Sequence, residues 1–191
     1  EGRVVHGKDR AHLAVADTVG PVAGPVPALL RHAQGDKAKV DLARLDQLDV
    51  FARALGRPRP HRGFELAREN ARGIPTNRVV LAGFSQGGAM ALYVGLRHPE
   101  KLGGILALSC YSILEDSLST EASDANRGTK IFQAHGEWDP MVPLERGRAS
   151  QDRLIQLGYD VEWRTYPMGH EVHPREIQDI GAWLRERLTA G

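Results

Sequence analysis

Apolar positions along this chain repeat with two periods, and from residue 64 onward the two periods alternate. Arg78-Val-Val-Leu-Ala82 is a short apolar run of the kind a buried strand shows, and Gly104–Ser109 and Lys130–His135 read the same way. Val161-Glu-Trp-Arg-Thr-Tyr166 alternates apolar and polar positions, again as a strand. Helical runs lie between them. Gln86 to Arg97 is apolar nearly all round, which predicts a buried helix. Leu144 to Leu157 is helical, with Gly158 where a left-handed cap is wanted. Pro174 opens a last helix that carries Ile177, Ile180, Leu184 and Leu188 on one face. Strands and helices alternating at this spacing predict a parallel sheet covered on both faces.

The front of the chain is patterned differently. Asp36 to Leu55 places Val40, Leu42, Leu45, Leu48, Phe51 and Leu55 near helical spacing, which predicts an amphipathic helix. Strand-like material there is limited to short pieces around Val4-Val5, and Gly20-Pro-Val-Ala-Gly-Pro-Val-Pro27 reads as a turn. Residues 1–72 contain no Ser, Ile, Met, Cys, Tyr or Trp, a compositional break from the rest of the chain. The 191 residues are read as one domain, a divergent stretch over 1–63 joined to a well-patterned core over 64–191.

Charge changes the picture only by exclusion. The formal net charge is +1, which offers no electrostatic footprint for nucleic acid. The basic run Arg57-Pro-Arg-Pro-His-Arg62 lacks aromatics for stacking on bases and reads as a solvated loop. Cys110 is the single cysteine, so no intrachain disulfide can form, as a reducing compartment favours. No apolar run is long enough to span a bilayer, so stable membrane insertion is not expected. The first residues lack a signal pattern, and a cytoplasmic location is the expectation.

The candidate chemistry sits on the loops after the strands. Gly83-Phe-Ser85-Gln-Gly87 is a G-x-S-x-G pentapeptide between a buried strand and a buried helix, the setting of a nucleophile elbow. Glycines two residues either side of the serine avoid a collision across the turn. The backbone N–H of Gln86, at the helix N-terminus, is the expected first donor to an oxyanion. A serine needs a base held by an acid. Asp139 follows the third strand in His135-Gly-Glu-Trp-Asp-Pro-Met-Val-Pro143, and His170 lies in Tyr166-Pro-Met-Gly-His-Glu171. Taken alone, Asp139 would read as a turn residue and His170 as a solvated loop histidine. Their order after Ser85, each on a loop following a strand, favours a Ser-Asp-His constellation. His135 is expected to shape the turn that carries Asp139. His98 and His173 read as structural, and Cys110 as a packed thiol. No cluster has metal-ligand spacing, and no Gly-rich phosphate loop is present.

At these residues the chain resembles the small carboxylesterase, lysophospholipase and acyl-protein thioesterase family of α/β hydrolases. The resemblance runs from about Phe64 to Leu188, and the closing Ile177-Gln-Asp-Ile-Gly-Ala-Trp-Leu184 looks like its bacterial carboxylesterase branch. It implies an α/β-hydrolase fold with Ser85 as nucleophile, Asp139 as triad acid and His170 as base. It further implies hydrolysis of carboxylic esters or thioesters without a cofactor; esters of short-to-medium acyl chains are the expectation, with acyl-protein thioesterase or lysophospholipase action as the alternative. A non-catalytic hydrolase-like domain is the reading from another class. The family's second oxyanion donor comes from an early His-Gly-Leu-Gly-like loop, for which the candidate is Gly7 in Val4-Val-His-Gly-Lys-Asp9. Phe84, Met141, Val142 and Met168 are expected to line the pocket, with ordinary core packing as the competing reading. Family analogy allows a homodimer.

Overall fold

The computed structural model describes residues 11–16, 38–43, 64–113 and 115–189. Among these residues six strands form one sheet: β1 (Ala11–Ala16), β2 (Ala38–Ala43), β3 (Val79–Phe84), β4 (Gly104–Leu108), β5 (Ile131–Gly136) and β6 (Val161–Tyr166). Their order is β2-β1-β3-β4-β5-β6, and every pairing is parallel. Among the described residues five α-helices accompany the strands: α1 (Phe64–Ala71), α2 (Gln86–Arg97), α3 (Glu115–Glu121), α4 (Leu144–Gln156) and α5 (Pro174–Thr189). The strand order turns back between β1 and β3, so the carboxyl end of β3 borders the crevice where such sheets bind ligands.

Alternation along the strands sorts the core into two layers. Val79, Ile105, Ala107 and Ile131 face one side, where they pack with Leu92 and Leu96 of α2 and Leu154 of α4. Val80, Ala82, Leu106, Leu108, Phe132 and Ala134 face the other side, under Ile180, Trp183 and Leu184 of α5. The central strands are buried on both faces, as their continuous apolar runs require. Gly158 closes α4 with φ at 85°, the left-handed conformation that the pattern predicts.

The front of the chain corrects the pattern-based expectation. Residues 38–43 form a strand, not the start of a helix over Asp36 to Leu55. Val40 and Leu42 alternate with Lys39 and Asp41, a period of two that the longer helical template conceals. The parallel ladder with β1, which registers Leu13 with Val40 and Val15 with Leu42, decides the outcome. Strand β1 is a second departure from the pattern, which places no strand at Ala11–Ala16. The Val4-Val5 piece and the rest of the helical expectation lie outside the described residues.

Candidate active site

Ser85 stands between β3 and α2, and its backbone is strained to reach that position. Its φ is 55° and ψ −122°, a conformation that non-glycine residues rarely adopt and that functional turns tolerate. The turn closes so tightly that a β-carbon on Gly83 would lie 2.1 Å from the carbonyl carbon of Gly87. Ser85 N–H donates to Leu108 O at 2.8 Å, which ties the elbow to the neighbouring strand and commits that donor. The hydroxyl makes no capping bond to α2. The first N–H groups of α2, starting at Gln86, have no acceptor one turn back within the helix. They are therefore the donors available beside Ser85 Oγ.

Asp139 and His170 come from loops that cross above β5. Glu137 N–H donates to Tyr166 O at 2.9 Å and Trp138 N–H to Met168 O at 3.1 Å, so the β5–β6 pairing continues into both loops. The crossing is close: a β-carbon on Gly136 would lie 2.2 Å from Gly169 O. Asp139 is buried, and its Oδ1 accepts the N–H groups of Met141 and Val142, each at 2.8 Å. Its Oδ2 lies 2.7 Å from His170 Nδ1, and His170 Nε2 lies 3.0 Å from Ser85 Oγ. The three residues that spacing singles out thus form one hydrogen-bonded chain on the carboxyl edge of the sheet. Asp139 accepts at Nδ1, so Nδ1 carries the imidazole proton and Nε2 presents its lone pair to the hydroxyl.

The loop bearing His170 is anchored at its far end. His173 caps α5 with its ring: Nδ1 accepts Arg175 N–H at 3.1 Å, while His173 N–H donates to Glu176 Oε2 at 3.2 Å. This is a capping box in which histidine stands where serine or threonine is usual. The His173 ring stacks on Tyr166, whose hydroxyl donates to Asp179 Oδ2 at 2.8 Å. Sequence reasoning misses both Glu176 and the ring cap, although a Glu three residues after the cap position is a readable signal.

Glu176 is fully buried, and burial pushes its carboxyl up from 4.5 to about 7. The folded chain therefore holds this proton more tightly than the unfolded chain does. Stability from this site is highest below pH 4.5 and declines as pH rises toward 7. Glu176→Gln keeps an acceptor for His173 N–H and removes the buried charge. It is expected to raise stability at pH 8 by up to roughly 3 kcal/mol, and to change little at pH 4.5. Denaturant melts at the two pH values measure the difference.

The expected pocket residues divide. Phe84 is half-buried with its ring 4.8 Å from that of His170. Val142 is half-buried, and Met141 is exposed on the same turn, beside the exposed Trp138. Met168 is buried in the core layer under α5, which is the packing alternative for that residue. Gly7 lies outside the described residues. Cys110 is buried against α2, and burial pushes its thiol up to about 12, consistent with a packed, unreactive group. Among the described residues no group of His, Cys, Asp and Glu is arranged to hold a metal, and no helix is long and apolar enough to cross a membrane.

Sequence and fold both relate the chain to known proteins. The acyl-protein thioesterase 1 of Gibberella zeae is 50% identical over 119 residues, which cover 61% of this chain and 51% of that protein. The acyl-protein thioesterase 1 of Neurospora crassa is 43% identical over 126 residues, 64% of this chain and 51% of that protein. The chain spans about half the length of the curated relatives it matches. In structure it is similar to Arabidopsis thaliana SOBER1, with a TM-score of 0.74 at 22% identity, over 94% of this chain and 99% of that one. That likeness establishes the α/β-hydrolase fold. The model of the phospholipase/carboxylesterase family matches residues 65–188, from α1 through α5 and all three residues of the hydrogen-bonded chain, and the protein belongs to that family.

Proposed function

We propose that this chain is a carboxylesterase that works through an acyl-serine intermediate. The observation that carries the reading is the continuous link from Ser85 Oγ through His170 to Asp139, at 3.0 and 2.7 Å. Ser85 Oγ attacks the ester carbonyl carbon while His170 Nε2 takes its proton. Asp139 steadies the resulting imidazolium, and its own charge is held by two backbone N–H groups. The oxyanion is met by Gln86 N–H at the positive end of α2, with Gly7 as the proposed second donor. His170 returns the proton to the departing alcohol. Water, deprotonated by the same imidazole, then releases the acid from Ser85.

Short to medium acyl chains are the proposed substrates, bound near Phe84, Met141 and Val142. A second reading is thioester hydrolysis, favoured by the 50% identity with a protein named as an acyl-protein thioesterase. One set of measurements separates them. A fluorophosphonate probe is expected to label Ser85, identified by mass spectrometry of the labelled peptide. Hydrolysis of p-nitrophenyl esters is expected to fall as the acyl chain lengthens. Preference for long-chain thioesters would turn the assignment to the second reading. A folded protein that neither labels nor turns over would be a non-catalytic member of its family.

A further inference from the structure

Asp139 has a second imidazole beside it. His135, at the end of β5, is fully buried, and its Nε2 lies 3.7 Å from Asp139 Oδ2, too far for a hydrogen bond. That nitrogen instead meets Val142 O at 2.8 Å. A carbonyl can only accept, so Nε2 carries the proton. Nδ1 has no partner among the described residues and faces Gly147, where a β-carbon would come within 2.6 Å of it. The ring is further held by stacking on Trp163, with centroids 6.0 Å apart and planes inclined by 24°.

The geometry points to His135 as a positioning residue for the triad acid: its Nε2–H clamps the Val142 carbonyl and so fixes the turn that aims Asp139 at His170. This inference rests on the triad reading above. Residues 139–142 form a small closed unit. Asp139 Oδ1 gathers the N–H groups of Met141 and Val142, while His135 holds the carbonyl of the same Val142 from beneath. With Oδ1 committed to the turn, Oδ2 is left to His170. Releasing the clamp lets the turn rotate. A displacement of about 1 Å at a catalytic group can cost on the order of a hundred-fold in rate.

The test compares His135→Gln, whose side-chain amide carries a donor close to the Nε2 position, with His135→Met, which fills the space without one. H135M is expected to lose about a hundred-fold in kcat with KM nearly unchanged, and H135Q to recover most of it. The low-field proton resonance of the His170–Asp139 hydrogen bond is expected in the wild type and H135Q and to be lost in H135M. Equal activity in all three folded proteins, or equal loss in both variants, overturns the role. Should H135M not fold, nitrogen-15 shifts of the wild-type ring decide it. An Nε2–H supports the clamp, and a ring protonated at Nδ1 alone overturns it. The resonance and the tautomer need no turnover, so they judge His135 even if the esterase reading fails.

Discussion

Ser85→Ala is expected to lower kcat for p-nitrophenyl acetate by on the order of 10⁶, because removing the nucleophile of such a triad disables the unit as a whole. The fold should barely register the change. The Ser85 hydroxyl caps no helix and its hydrogen-bond partner is His170, so its loss leaves the elbow backbone and its bond to Leu108 O in place. Stability should stay within about 0.5 kcal/mol of the wild type. Asp139→Asn makes a graded comparison. Its amide offers His170 the wrong partner at Nδ1 and favours the wrong tautomer, for an expected loss of roughly 10⁴-fold. Steady-state rates read alongside circular dichroism melts check both. A folded S85A that keeps more than a trace of wild-type turnover would remove Ser85 from the mechanism.

The second large effect concerns the turn that presents the serine. Gly83→Ala places a β-carbon 2.1 Å from Gly87 C, 2.2 Å from Gly87 O and 2.5 Å from Gly88 N. All three are backbone atoms, so no side-chain rotation can relieve the overlap. The elbow must open, taking the first turn of α2 and the oxyanion donors with it. We expect a stability loss of at least about 4 kcal/mol, a melting temperature lower by roughly 10 °C, and activity down at least about a hundred-fold. Gly128→Ala supplies the control, since its β-carbon would meet nothing within 4 Å. A G83A protein that melts with the wild type would show that the turn is wider than described.

How much of the molecule is legible in its sequence depends on the range of the interactions involved. β3 to β5 and helix α2 are readable because a strand buried on both faces needs a continuous apolar run, and a helix buried all round needs the same at its own period. β6 is readable from its alternation, while α3, a single short helix between β4 and β5, is not anticipated. Ser85, Asp139 and His170 are readable because each follows a strand in the order the chemistry needs. β2 is ambiguous because Val40 and Leu42 fit both templates, and only its parallel ladder with β1 separates them. The ring cap by His173 hides because histidine is an unusual cap. The Gly136 crossing hides because its partner, Gly169, is distant in the chain. The split of the pocket candidates is unreadable for a similar reason. Met168 and Met141 look alike in sequence, yet one sits beneath α5 and the other lies open on a turn.

Strand β4 lies between the strand that carries the nucleophile and the strand that carries the acid. Leu108 accepts the N–H of Ser85 on one side, and Ser109 donates to Ala134 O on the other, at 2.8 Å in both cases. Two interstrand spacings, close to ~10 Å in all, therefore set the gap that the His170 ring must bridge. The sheet acts as a ruler whose divisions cannot drift singly. A descendant could exchange loops, or replace the nucleophile by another of similar size, and still inherit the distance. One that gained or lost a strand at this point would keep all three side chains in its sequence and lose their contact. Counting the strands between serine and aspartate is therefore a stricter test of a working member of this lineage than matching the motifs themselves.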